Sequence, residues 1–97
     1  MNVGVCKLKV RLPENQSLKG KRRVITSLCS KLHSRFNVSV SEVGDNEAWQ
    51  LATLGLTCVS NDSRHIDKLI STIINFIENN VGNLEIVSEE RETISGF

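Results

Sequence analysis

The stretch LATLGLTCVSNDSRHIDKLISTIINFIENN, residues 51–80, changes its period halfway along, and that change decides the fold. In the first half Ala52, Leu54, Leu56 and Cys58 alternate with Leu51, Thr53, Gly55 and Thr57, the two-residue repeat of a strand with two unlike faces. This strand is expected from Trp49 to Ser60. After the cap-rich SNDS, Ile66, Leu69, Ile70, Ile73, Ile74 and Ile77 recur at the three- and four-residue spacing of an amphipathic helix. That helix should end near Asn80, with Gly82 as its stop.

The same two periods extend outward in both directions. From Val3 to Leu12, Cys6, Leu8, Val10 and Leu12 face one way and Lys7, Lys9 and Arg11 the other, as in a half-buried strand. LPENQS then interrupts it, and Ser17 is placed to cap a helix running to about Ser34, with Leu18, Ile25, Leu28, Cys29 and Leu32 on its apolar stripe. FNVSVSEV, residues 36–43, reads as a strand, GDNEA as a turn, Leu84 to Glu92 as a last strand and TISGF, residues 93–97, as a short tail. The order βαββαβ predicts an α+β, ferredoxin-like domain spanning residues 1–97, with a four-stranded antiparallel sheet and two helices on one face. The other sheet face is left open.

A net charge of +1 excludes a global basic field, so any attraction for phosphate must be local. No apolar run approaches the roughly 18 residues of a membrane span, and the first residues lack a signal peptide's apolar core. The expectation is a cytoplasmic protein that does not engage a membrane. Cys6, Cys29 and Cys58 are widely spaced, without a zinc-ligand pattern, and read as reduced, buried thiols. Neither a metal nor a cofactor is expected.

The local basic feature is SLKGKRR, residues 17–23. A helix N-terminus already carries partial positive charge, so cations there are unfavourable unless an anion offsets them. Lys19, Lys21, Arg22 and Arg23 are therefore candidates for holding phosphate, with Lys21 and Arg22 at the borders of the apolar stripe and Trp49 nearby as a stacking platform. The competing explanation is ion pairing with Glu42, Asp45 and Glu47, which the topology brings to the same end. A second candidate surface is the open face with Lys7, Lys9 and Arg11. It lacks the aromatic residues on which an RNA-reading sheet stacks bases, and cross-strand pairs with Glu85 and Glu89 account for its charges.

Catalytic patterns are absent. GKRR lacks the glycine spacing and hydroxyl of a P-loop, and Glu14 sits where an acylphosphatase-like turn would have to cradle an anion. His33 and His65 have no Cys or Ser–Asp partner nearby in sequence. A non-enzymatic domain is expected.

Ser17 to Asp62 closely resembles the YlxP-like proteins, small bacterial domains of unknown function, through SLKGKR, RFNVSVSEV and WQLATLG leading into VSND. The resemblance implies a ferredoxin-like fold and a recurrent genomic association with transcription and translation-initiation factors and ribosome maturation. It carries over no catalytic residue. The leading expectation is an accessory module that docks on structured RNA or a ribosomal particle through its basic helix start. The alternative is a protein-interaction or homo-oligomerisation module using the open sheet face, where Val3, Val5, Val59 and Val87 form an apolar patch that Ile94 and Phe97 could cover. A monomer or weak homodimer is expected.

Overall fold

The computed structural model describes residues 1–97. Its elements are β1 (Asn2–Arg11), α1 (Leu18–Arg35), β2 (Ser39–Gly44), β3 (Leu51–Ser60), α2 (Ser63–Asn80) and β4 (Glu85–Ile94). The sheet order is β2-β3-β1-β4, antiparallel throughout, so the ferredoxin-like arrangement read from the sequence is the arrangement found.

The core lies between the sheet and the two helices. Cys6, Leu8, Val10, Ala52, Leu54, Leu56 and Cys58 supply the sheet side, and Ile25, Leu28, Leu32, Ile66, Ile70, Ile73 and Ile77 the helix side. Burying each large aliphatic side chain contributes about 1.5–3 kcal/mol, which is what holds two otherwise solvated helices against the strands. α1 begins at Ser17, whose Oγ accepts from the Gly20 amide at 2.9 Å, and α2 at Asp62, which accepts from the Arg64 amide. Phe36 meets Phe76 edge-on at 5.7 Å, with the Arg35 guanidinium over the Phe76 ring, joining the end of α1 to α2.

Several boundaries differ from the sequence reading. β2 starts at Ser39 and β3 at Leu51, so Trp49 and Gln50 belong to the turn. α2 ends on Val81 in an extended conformation, so Gly82 is not its left-handed stop; the positive φ of the following turn is at Asn83 (φ 60°). Thr93 and Ile94 pair with Gly4 and Val3, so residues 93 and 94 extend β4 and cannot fold back over the open face as a lid. Both edge strands are interrupted by a bulge, β2 between Glu42 and Gly44 and β4 opposite Lys9 and Val10. The second bulge resets the register of β4. Arg91 and Glu89 lie opposite Cys6 and Leu8, on the helix side, where Arg91 pairs with both Glu89 and Asp67 of α2. Glu89 is therefore not a partner of the open-face cations.

Candidate functional site

At the start of α1 the basic cluster divides into an inward and an outward part. Lys21, Ile25, Leu28 and Leu32 follow one another at spacings of four, three and four, so Lys21 lies in the middle of the buried stripe and has no exposed surface. Its ammonium donates to the carbonyls of Asp45 (2.7 Å), Asn46 (3.2 Å) and Leu51 (3.2 Å) and stands 3.0 Å from Glu42 Oε2. The expectation that Lys21 offers its charge to an external anion is thus corrected. The three carbonyls and the carboxylate use it completely, and it serves to close the β2–β3 turn.

The same turn is held from the other layer. Asp45 adopts a left-handed backbone (φ 59°) and turns its carboxylate to the open face, where it accepts from Thr53 Oγ1 at 2.6 Å and lies 3.5 Å from Lys9 Nζ. The Thr53 hydrogen bond, with Lys9 beside it, holds the Asp45 carboxyl below its ordinary range. Asn15 and Gln50 complete the lacing. Asn15 Nδ2 donates to the carbonyls of Ser17 and Trp49, both at 2.6 Å, and Gln50 Nε2 donates to those of Pro13 and Asn15. A Cβ on Gly20 would stand 2.5 Å from Asn15 Oδ1, so the glycine leaves room for that side chain. The conspicuous SLKGKR and WQLATLG segments are thereby two halves of one hydrogen-bonded joint.

Lys19, Arg22 and Arg23 remain outside the joint, exposed and without a carboxylate partner. Of the three acids considered as their partners, Glu42 and Asp45 are engaged by Lys21 and Lys9 instead, and Glu47 makes no ion pair. Further along α1, Lys31 and Arg35 are also exposed and make no ion pair, and α1 contains no acidic residue. Arg23 and Lys31 flank a recess of about 310 Å³ whose floor is Val24, Leu28 and Val81. The outer face of α1 is an unbalanced cationic strip, although the chain as a whole is nearly neutral.

The other candidates fall elsewhere. Trp49 is 57% exposed but lines a recess with Arg11, Ala48, Gln50 and Leu51, which places it at the rim of the sheet face. Lys7 pairs with Glu90, Lys9 with Asp45 and Arg11 with Glu85, so the cationic stripe of β1 is neutralised within the sheet. No group of three His, Cys, Asp or Glu side chains converges as a metal site, and no helix is long and apolar enough to cross a membrane. Cys6 and Cys58 are buried and Cys29 half-buried; burial raises all three thiols, Cys6 to about 11.

Fold and site together define a small ferredoxin-like domain with a polar joint at one end and a basic helix along one side. Residues 3–91 match the family described as "Protein of unknown function (DUF503)", and the chain belongs to that family. It is 29% identical over 76 residues to the uncharacterised protein YlxP of Bacillus subtilis (strain 168), covering 78% of this chain and 83% of that protein. Among solved structures it is similar to the de novo designed protein Foldit4, at 18% identity and a TM-score of 0.54 over 98% of both chains. A dimeric ferredoxin-like protein from an uncultured marine organism aligns at 9% identity with a TM-score of 0.49, over 97% of this chain and 96% of that one.

Proposed function

We propose that this protein is a non-catalytic cytoplasmic accessory domain that docks on structured RNA, as in a ribosomal particle, through the outer face of α1. One observation supports the reading above the others. Lys19, Arg22, Arg23, Lys31 and Arg35 project from one helix that has no acidic residue, and none has a carboxylate partner within the fold. Lys19 opposes the helix dipole in the first turn, at a cost of roughly 0.3–1 kcal/mol, and Arg22, Arg23 and Lys31 add uncompensated like charge along the helix; an external polyanion offsets both. Phosphate contacts of this kind give affinity without base reading, which suits a surface lacking aromatic side chains.

The test is fluorescence anisotropy with a labelled RNA hairpin over a series of salt concentrations. Wild-type affinity should fall steeply with salt, and Arg22→Glu combined with Arg23→Glu should weaken binding at least tenfold and flatten the salt slope. Because both side chains are exposed and unpaired, the melting temperature should stay within a few degrees of wild type. No binding at low salt, or binding that the folded double variant retains in full, overturns the proposal.

A further inference from the structure

We infer that the open sheet face is the contact surface of a homodimer, in which two copies pack sheet against sheet about a two-fold axis with their helices outermost. The observations concern where apolar surface is left uncovered. Val43, Trp49, Val59, Val87 and Ile94 are large, exposed hydrophobic side chains, and neither helix contributes any. Val59 and Ile94 lie on either side of Val3 in one cross-strand row, with Val5 two residues further along β1. Val43 is the extra residue of the β2 bulge and folds over Gly55, where a Cβ would stand 3.0 Å from its Cγ1. Val87 is the extra residue of the β4 bulge, next to Ser88, which shares the open face with Lys9. A trough of about 520 Å³ crosses the middle of this face, with Gly55 and Val5 among its lining and Ser39, Ser41 and Thr57 along one side.

Three features select a second copy as the occupant. The cations on the face are already paired within one copy, Lys7 with Glu90, Lys9 with Asp45 and Arg11 with Glu85. A second copy packed face to face therefore meets no unbalanced stripe of its own sign, and the face does not repel itself. The alternative contacts between copies are disfavoured. Bulges interrupt both edge strands and break the ladder that edge pairing requires, and the cationic outer face of α1 repels its own kind. The area is also sufficient. Three ten-residue strands and the six-residue β2 present a face of roughly 600 Å² in projection, the lower end of the roughly 600–1,000 Å² per partner found in stable interfaces.

Sedimentation equilibrium of the intact chain over a wide concentration range tests the inference, together with Val59→Glu and Val43→Glu, which place a charge at separate points of the face. The wild type should dimerise, and each variant should raise the dissociation constant about tenfold or more while keeping the wild-type circular dichroism spectrum. Because the cations of the face are paired within each copy and its exposed anchors are apolar, dimerisation should persist at salt concentrations that abolish RNA binding, which separates it from the role of α1. A wild type that stays monomeric at the highest concentration overturns the inference, as does a dimer that withstands both substitutions.

Discussion

The Lys21 ammonium lies 3.0 Å from Glu42 Oε2 and gives it no hydrogen, because all three go to the carbonyls of Asp45, Asn46 and Leu51. Glu42 balances the charge while the carbonyls satisfy the donors. Removing the cation leaves the three carbonyls without that donor and a largely buried carboxylate without its counter-charge. Lys21→Met should therefore cost about 3–5 kcal/mol in urea unfolding. Arg22→Ala, one residue away on the solvent side, should change stability by no more than about 0.5 kcal/mol. Adding Glu42→Leu to Lys21→Met should recover part of the loss, since the unpaired carboxylate goes with it. A Lys21→Met protein as stable as wild type would refute the role of Lys21 in holding the turn.

Gly4 carries a second, sharper constraint. A Cβ there would stand 2.3 Å from Cγ2 of Ile66 and 3.2 Å from the Cys58 sulfur. Ile66 is fully buried and β-branched, so it cannot swing aside. Gly4→Ala is expected to destabilise by about 1–3 kcal/mol through overpacking between β1 and α2. In an Ile66→Ala background the same substitution should cost less, and a double-mutant cycle by thermal unfolding reads the coupling. Equal costs in both backgrounds would show that α2 does not approach β1 as closely as described.

The element order was legible because it rests on period alone: two at residues 51–60 and 3.6 at residues 63–80 survive any detail of packing. What failed depended on a single residue's count or rotation. Lys21 sits four before Ile25 and seven before Leu28, a spacing that marks it as inward, but its charge argued for solvent and the carbonyl cage that makes burial tolerable is assembled from a distant turn. Strict alternation puts Glu89 on the open face, and the bulge in β4 adds one residue that moves it to the other. Asn15 and Gln50 carried no pattern at all. Their roles follow from two loops meeting, which periodicity does not describe.

Asp45 gives a prediction at the acid end. Its carboxyl is held below its ordinary value of 3.8, first by the Thr53 hydroxyl and then by the neighbouring Lys9. A carboxyl lowered on folding contributes stability that is present above its unfolded value and disappears as pH falls through the folded one. Thr53→Val should raise the Asp45 titration midpoint, followed by the carboxyl carbon shift in NMR. It should also destabilise the protein at neutral pH, with the difference from wild type shrinking as the pH drops below about 4. An unchanged midpoint would mean that Lys9 alone sets the ionisation.

The thiols govern the alkaline end. Cys6 is raised from 9.0 to about 11, chiefly by burial and then by the Glu89 carboxylate, with Arg91 and Cys58 as smaller influences. Below pH 9 the folded and unfolded chains both keep this proton, so it contributes no pH dependence. Between 9 and about 11 the unfolded chain releases the proton while the folded chain retains it, and stability must fall as pH rises through that window. Cys6→Ala removes the group and should flatten this limb relative to wild type, whereas lysine titration is common to both proteins and cancels in the comparison. Alkylation rates supply an independent check, because only the thiolate reacts. At pH 8 iodoacetamide should label half-buried Cys29 first, beside the groove it shares with Thr26, Ser30 and His33, and should reach Cys6 and Cys58 only at the rate of unfolding. Rapid labelling of Cys6 in the folded protein, or an alkaline limb that Cys6→Ala leaves unaltered, would place that thiol outside the core.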